Sequence, residues 1–357
     1  MFLNDTRDYT NMKKILMIGT GGSITAKMVN NAWRPGAFTE KDLINFIPEV
    51  KNTVDIDTID LYHIDSSNMQ PEYWLELAKI VYQNHKKYDG IVITHGTDTM
   101  HYTASALSFL LQNLDVPVVL TGSQVPPHKV GSDAKRNLLD SIRVASETNI
   151  GEVVFVFNSK ILRGNRVKKF RELEFEAFES VGMLPLGVIE HDIRLTGEHH
   201  KKGKGKLKYF DKLEKNVCIL KITPGMNPKL ITAAIDLGYK GIILEGFGAG
   251  NVPINKNSLI PEIKNAIKKD IPVVVSTQCA IGCSWMYLYE TGKKALDAGA
   301  IPGHDMISET AMTKMMWILG NHKGSINKIR KLFLKDVAGE LSEARTPKEK
   351  RIWEYSL

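Results

Sequence analysis

Short apolar runs alternate with amphipathic stretches along the first half of the chain. Ile15-Leu16-Met17-Ile18 predicts a buried strand, and Gly19 to Gly22 breaks it. Val54 to Ile64 alternates apolar and polar residues, the pattern of a half-buried strand. After Pro71, the spacing of Trp74, Leu77, Ala78, Val81 and Tyr82 marks one face of a helix. Ile91-Val92-Ile93, Val116 to Leu120 and Val153 to Phe157 predict further strands, with a helix over Tyr102 to Leu111. Beyond residue 216 the alternation resumes on a smaller scale. Strands are expected at Val217 to Ile222, Ile242 to Leu244 and Val273 to Val275. Helices are expected at Lys229 to Leu237, Ser258 to Lys269, 308–319 and 325–334.

Strand–helix alternation of this kind predicts an α/β fold: a larger N-terminal domain with a mostly parallel sheet and a smaller C-terminal α/β domain. The expected divisions are an N-terminal domain at 12–198, a basic linker at 199–215, a C-terminal domain at 216–342 and a tail at 343–357. In open parallel sheets ligands bind beyond the carboxyl ends of the strands. The segments just after the apolar runs are therefore where chemistry is sought.

Composition narrows the class. The chain has 357 residues, 43% hydrophobic and 24% charged, which suits a soluble protein with a sizeable core. It holds no apolar run long enough for a transmembrane helix. The opening Met1-Phe2-Leu3-Asn4-Asp5 lacks a basic region followed by an apolar one, so no secretory signal and a cytoplasmic location are expected. The net charge is +7, and the five lysines of His199 to Lys208 account for most of it. That stretch has glycines and no aromatic residues. It is expected to be a solvated linker rather than a nucleic-acid surface. Three cysteines, Cys218, Cys279 and Cys283, form no Cys-x-x-Cys pair, and no histidine pair has metal-ligand spacing. Neither a disulfide framework nor a metal site is expected.

Five polar segments follow the apolar runs. The first, Gly19-Thr20-Gly21-Gly22-Ser23-Ile24-Thr25, fails as a dinucleotide fingerprint, because Ile24 stands where a third glycine belongs. It remains either a plain tight turn or a turn displaying a hydroxyl nucleophile, with Ser23 and Thr20 as candidates. The second, Thr94-His95-Gly96-Thr97-Asp98-Thr99, holds five polar residues where a helix cap needs one. His95 is open to either a structural or a catalytic role. Asp65-Ser66-Ser67-Asn68 reads by itself as a capped turn before the Pro71 helix, whereas Leu120-Thr121-Gly122-Ser123-Gln124 reads equally as an ordinary turn or as part of a site. In Arg163-Gly164-Asn165-Arg166-Val167-Lys168-Lys169 the basic residues are either solvated, or one lysine enters a cleft and serves as a base.

At Gly21-Gly22-Ser23-Ile24 and His95-Gly96-Thr97-Asp98-Thr99-Met100 the sequence resembles the bacterial-type L-asparaginases, amidohydrolases that convert L-asparagine to L-aspartate and ammonia. The likeness continues through Asp65-Ser66, Val118 to Ser123, Asn137-Leu138, Val167-Lys168-Lys169, Ala177 to Ser180, Gly241 to Gly246 and Thr313 to Leu319. The missing secretory signal and Ser66-Ser67 are more similar to the cytoplasmic, type I branch. The resemblance implies a two-domain α/β fold assembled as a homodimer or homotetramer, acting on an amino-acid substrate without cofactor, metal, nucleic acid or membrane. It implies a nucleophile at the position of Ser23, where the family usually has threonine. A second hydroxyl matches Thr97, with Asp98 and Lys169 as its partners. Ser66 and Asp98, with Asp65 and Ser67 beside them, match the residues that bind the substrate's α-amino and α-carboxylate groups. Ser123 would lie against the scissile amide. The segment Ala26 to Gly36 is read as a lid, and Trp33 falls where the family usually has a lid tyrosine; Trp33 equally reads as an aromatic stabilising that loop.

Three alternatives stay open at this level. A glutaminase-asparaginase would differ by one methylene in the pocket, a discrimination of about 1–3 kcal/mol. The amidase component of an archaeal-type tRNA-dependent amidotransferase has a similar core with an additional N-terminal domain, whereas about a dozen residues precede the first strand here. A non-catalytic amino-acid-binding relative would have no use for the retained Thr97, Asp98 and Lys169.

Overall fold

Apolar side chains that run unbroken along a strand must be covered on both faces of the sheet, and this dictates the layers of the larger domain. The computed structural model describes residues 12–203 and 205–342; the expected tail at 343–357 lies outside them. An eight-stranded sheet runs in the order Ile193–Leu195, Gly187–Ile189, Lys160–Arg163, Val153–Phe157, Val118–Thr121, Gly90–Thr94, Lys13–Gly21, Val54–Ile64. The last five of these are mutually parallel, and the first three pair antiparallel at one edge. Leu16 and Ile18 point to one face with Ile91, Ile93, Val118, Leu120 and Phe155, under the helices Pro71–Asn84 and Met100–Leu110. Ile15 and Met17 point to the other with Val92, Val119 and Val154, under the helices Glu40–Asn45 and Ala134–Glu147.

The smaller domain carries a four-stranded parallel sheet in the order Val217–Lys221, Gly241–Gly246, Val273–Thr277, Ile301–Pro302. Helices Lys229–Asp236, Ile260–Lys268 and Glu290–Asp297 cover one face. The other face is covered by Ser308–Asn321, which packs straight onto Met100–Leu110 of the larger domain. Phe109 and Trp317 stack with centroids 6.0 Å apart, and the hydroxyls of Ser105 and Thr313 share a 2.7 Å hydrogen bond. One apolar cluster therefore runs through both domains, from Leu16 to Phe333.

The basic stretch after residue 198 is largely exposed, yet it is tied to the larger domain. Lys201 bridges to Ile150, and Lys208–Tyr209 pairs antiparallel with Leu111–Gln112. Tyr209 stacks on Tyr82 at a centroid distance of 4.5 Å. Tyr82, assigned from spacing to the buried helix face, lies at its rim and is 43% exposed.

Candidate active site

The parallel strands end together, and the loops leaving them meet because two glycines let their backbones touch. Gly22 has φ of 80°, and a Cβ there would fall 2.2 Å from the Cα of Gly96. A Cβ on Gly96 would in turn fall 2.6 Å from Ser66 Oγ. No side chain fits at either place. The residue after each glycine, Ser23 and Thr97, carries a candidate hydroxyl, so this contact brings the two loops together.

Ser23 opens a short 3-10 turn, Ser23–Thr25, and is half-buried. Among the described residues no hydrogen bond engages its hydroxyl. Thr20 is different: it is buried, and its hydroxyl donates to Thr94 O at 2.8 Å. That bond commits Thr20 to the framework and leaves Ser23 as the displayed hydroxyl of the turn.

Across the contact, Lys169 Nζ donates to Thr97 Oγ1 at 2.9 Å and to Asp98 Oδ1 at 2.6 Å. The Lys169 side chain is 15% exposed and that of Asp98 62%, so the lysine is shielded while the carboxylate opens to solvent. Ser66 joins the same loop: its Oγ accepts from Asp98 N at 3.2 Å, and its carbonyl accepts from Thr99 Oγ1 at 2.7 Å. Asp65 caps its own turn, its carboxylate accepting from the Ser67 N–H and hydroxyl. Ser123 is wholly buried, and its hydroxyl has no partner among the described residues.

Trp33 lies in the β-hairpin formed by Lys27–Val29 and Ala32–Arg34, a segment in which the sequence shows no clear periodicity. It is 44% exposed. Lys129 Nζ sits 5.6 Å from its ring centroid, and the His128 ring is 6.3 Å away.

His95 resolves to a structural role. It is fully buried, and desolvation pushes its pKa down to about 4, so the ring is neutral. Trp74 Nε1 donates to Thr103 Oγ1 at 3.0 Å, Thr103 Oγ1 lies 2.9 Å from His95 Nε2, and His95 Nδ1 lies 2.7 Å from Gly96 O. An Nδ1–H tautomer satisfies the whole chain and stiffens the loop that bears Thr97.

Sequence reading missed the residues that hold Lys169. The lysine ends strand Val167–Lys169, which pairs with Phe178–Ser180 and follows the buried turn Gly164–Arg166. The smaller domain grips that turn. Arg166 donates to Asp305 at 2.8 Å and to Gly339 O at 3.0 Å, and Asn165 Nδ2 donates to Ala338 O at 2.9 Å. Thr310 Oγ1 donates to Asn165 O, and Lys168 pairs with Glu309 at 2.8 Å. Burial pushes the Asp305 carboxyl up, but Arg166 and Ser342 outweigh it and hold it below its ordinary range. The segment 337–340 is itself pinned by the fully buried pair of Lys314 with Glu340. Asn165, Arg166 and Lys168 stand in a segment the sequence singles out, but their partners do not announce themselves, since Arg166 and Asp305 stand 139 positions apart.

Among the described residues no group of three or more His, Cys, Asp or Glu side chains is placed to hold a metal ion. No helix among them is long and apolar enough to cross a membrane.

Comparison with known proteins follows the same two-part division. Residues 14–201 match the family model "Asparaginase, N-terminal", and residues 216–333 match "Glutaminase/Asparaginase C-terminal domain". An L-asparaginase of Thermococcus kodakarensis is 36% identical, covering 92% of this chain and 99% of that protein. A component of the glutamyl-tRNA(Gln) amidotransferase of Pyrococcus furiosus is 37% identical, covering 93% of this chain and 78% of the relative. Among solved structures, the thermostable L-asparaginase from Thermococcus kodakarensis superposes with a TM-score of 0.86 at 35% identity, over 92% of this chain and 99% of that one. L-asparaginase I from Vibrio cholerae superposes with a TM-score of 0.83 at 34% identity, over 93% and 100%. A probable cytoplasmic L-asparaginase from Campylobacter jejuni gives 0.78 at 29% identity, over 91% and 100%. With both halves matched and relatives aligned over almost its whole length, the chain belongs to the asparaginase family.

Proposed function

We propose that this protein hydrolyses the side-chain amide of L-asparagine to L-aspartate and ammonia, with Ser23 as nucleophile. The observation that carries the reading is Lys169 Nζ bridging Thr97 Oγ1 and Asp98 Oδ1 on a loop whose backbone touches the Ser23 turn. A serine hydroxyl is not ionised near neutral pH and needs a group to take its proton. In the proposed step Ser23 Oγ attacks the amide carbon while its proton passes into the Thr97–Lys169 set. Ammonia leaves carrying a proton from that set, and an acyl ester remains on Ser23. Water then adds to the ester carbon, the Ser23–acyl bond breaks, and aspartate and the free hydroxyl are restored. Asp98, open to solvent, and Ser66 bind the α-amino and α-carboxylate groups, with Asp65 and Ser67 beside them. The buried, unpartnered Ser123 hydroxyl is available to the amide. Trp33 packs the hairpin lid over the site. The same reading places a homodimer or homotetramer in the cytoplasm.

An ammonia-release assay with L-asparagine, L-glutamine and D-asparagine tests the proposal. Release from L-asparagine, abolished in Ser23→Ala, is expected. Unchanged turnover in that variant overturns the nucleophile. Equal turnover of glutamine would instead mark a glutaminase-asparaginase of wider specificity. A second reading has support from the 37% identity to an amidotransferase component: the chain would then supply ammonia to a partner protein. Ammonia release by the isolated chain at full rate excludes it. Asparagine binding without ammonia release would mark a non-catalytic relative.

A further inference from the structure

Glu40 is a buried acid that the proposed chemistry does not use. It is the first residue of helix Glu40–Asn45, and its N–H donates to Asp60 Oδ1 at 2.8 Å. Its side chain turns inward beneath the end of the sheet and is 1% exposed. There Oε1 accepts from Thr94 Oγ1 at 2.7 Å. The carboxyl occupies the space that a side chain on residue 19 would take: a Cβ on Gly19 would fall 2.4 Å from Oε1. Gly19 pairs in register with Thr94 on one side and Asp60 on the other, so Glu40 touches three adjacent strands at one level.

The ladder between Lys13–Gly21 and Gly90–Thr94 ends at that level. The pairing of Lys13–Gly21 with Val54–Ile64 shifts between Gly19 and Gly21. Just beyond, Thr20 Oγ1 donates to Thr94 O, the last side-chain tie before the two strands part into the Ser23 turn and the Thr97 loop. Ser23 is four residues past Gly19, and Thr97 three past Thr94.

We propose that the Glu40 carboxyl is a positioning group that locks these two strands in register, so that the Ser23 and Thr97 hydroxyls stay aligned. This inference rests on the hydrolytic reading above. Its chemistry favours the uncharged acid: Oε2 is buried with no hydrogen-bond partner among the described residues. Burial pushes the pKa up to about 8, the Thr94 hydroxyl opposes this, and Asp60 adds to it. Asp60 is the charged group facing Glu40 from Val54–Ile64. The other two strands present Gly19 and Thr94, which do not titrate, and Lys41 and Asp42 lie on its own helix. Ionisation would place an uncompensated charge beside the Gly19 backbone and push the strands apart.

The test compares the wild-type protein with Glu40→Gln and Glu40→Ala, reading kcat and KM for L-asparagine from about pH 6 to pH 10. Glutamine keeps the acceptor for Thr94 and cannot ionise. It is expected to hold kcat within about twofold of wild type near pH 7, and to retain that rate above pH 8, where wild-type kcat falls several-fold. Alanine leaves Thr94 without its acceptor and a void under Gly19; kcat is expected to fall about tenfold or more with KM little changed, since a small misplacement of reacting groups costs rate rather than binding. Melting temperature against pH, measured without substrate, is the independent arm. A carboxyl whose folded pKa is raised contributes stability below its unfolded pKa and loses it as pH rises through the folded value. Wild-type Tm is therefore expected to fall between about pH 4.5 and pH 8 relative to Glu40→Gln. Superimposable pH profiles of kcat and Tm for wild type and Glu40→Gln, or wild-type kcat in Glu40→Ala, overturn the proposal. A wild-type protein that releases no ammonia defeats the hydrolytic reading instead, and the melting comparison still decides whether Glu40 is held as described.

Discussion

The site is approached from two regions built on opposite principles. On one side Ser23 stands on a glycine turn, with its hydroxyl unbonded among the described residues and a hairpin beyond it whose Met28, Val29 and Trp33 are exposed. On the other side Lys169 extends from a strand anchored by buried hydrogen bonds and ion pairs reaching into the smaller domain. Segments with few buried contacts open at low free-energy cost, whereas densely bonded ones move only with the core. On the proposed chemistry the parts divide the work: the exposed hairpin can move to admit a substrate, while the braced side keeps the groups proposed to handle the proton at fixed separations. Within each side a buried carboxyl marks the design. Asp305 is held ionised by Arg166, and Glu40 is held neutral by burial.

The largest break in this comparison is at the chemistry. Ser23→Ala and Lys169→Met are each expected to lower kcat on L-asparagine by about a thousandfold, within the range for loss of a nucleophile or a proton-transfer group. Steady-state ammonia release checks both. A Lys169→Met enzyme with near-normal kcat would mean that the braced side holds nothing catalytic.

The next effect separates bracing from chemistry. Asp305→Ala leaves the buried Arg166 guanidinium without its counter-charge, a change that typically costs about 3–5 kcal/mol. A clear drop in Tm is expected, with kcat falling as the Lys169 strand loosens. The sign of its pH dependence is opposite to that of Glu40. The Asp305 pKa is depressed in the folded state, so its contribution is present above the unfolded value of 3.8 and is lost as pH falls below it. The Tm gap between wild type and Asp305→Asn should therefore narrow below about pH 4. A gap independent of pH would show that the pair is not the brace.

Ser23→Thr sharpens the open side. The added methyl restricts the side-chain rotamer, and a several-fold rise in kcat is expected, with little change in Tm. A large loss would show that the turn is shaped for serine. The smallest effect is expected from Trp33→Ala: a two- to threefold rise in KM, about 0.4–0.7 kcal/mol of binding, at unchanged kcat. Unchanged kinetics would reduce Trp33 to a stabiliser of its own hairpin.

Much of the frame is legible in the chain. Val54 to Ile64 and Val153 to Phe157 are strands with the bounds that periodicity predicts, and the Pro71 helix buries Trp74, Leu77, Ala78 and Val81 as its spacing requires. The helices Glu40–Asn45 and Ala134–Glu147 and the antiparallel edge strands escape that reading. The first helix is only six residues long, and the edge strands are three or four, too short for a period to register. The polar loops after the strands are visible as an excess of hydroxyls and acids where one cap would suffice. That these loops touch is not visible, because it depends on Gly22 and Gly96 meeting across more than seventy residues of chain.

What the sequence by itself determined is the α/β alternation, the two-part division, the family, and the hydroxyl, acid and lysine candidates, because each is written in residues adjacent in the chain or in motifs of fixed spacing. Only the tertiary structure decided that Thr20 is spent on Thr94, that His95 is neutral, that Arg166 is caught by Asp305, and that Glu40 lies sealed under Gly19. Those outcomes turn on desolvation and on partners far away in sequence, and a charged or polar side chain takes its character from the neighbours folding brings to it.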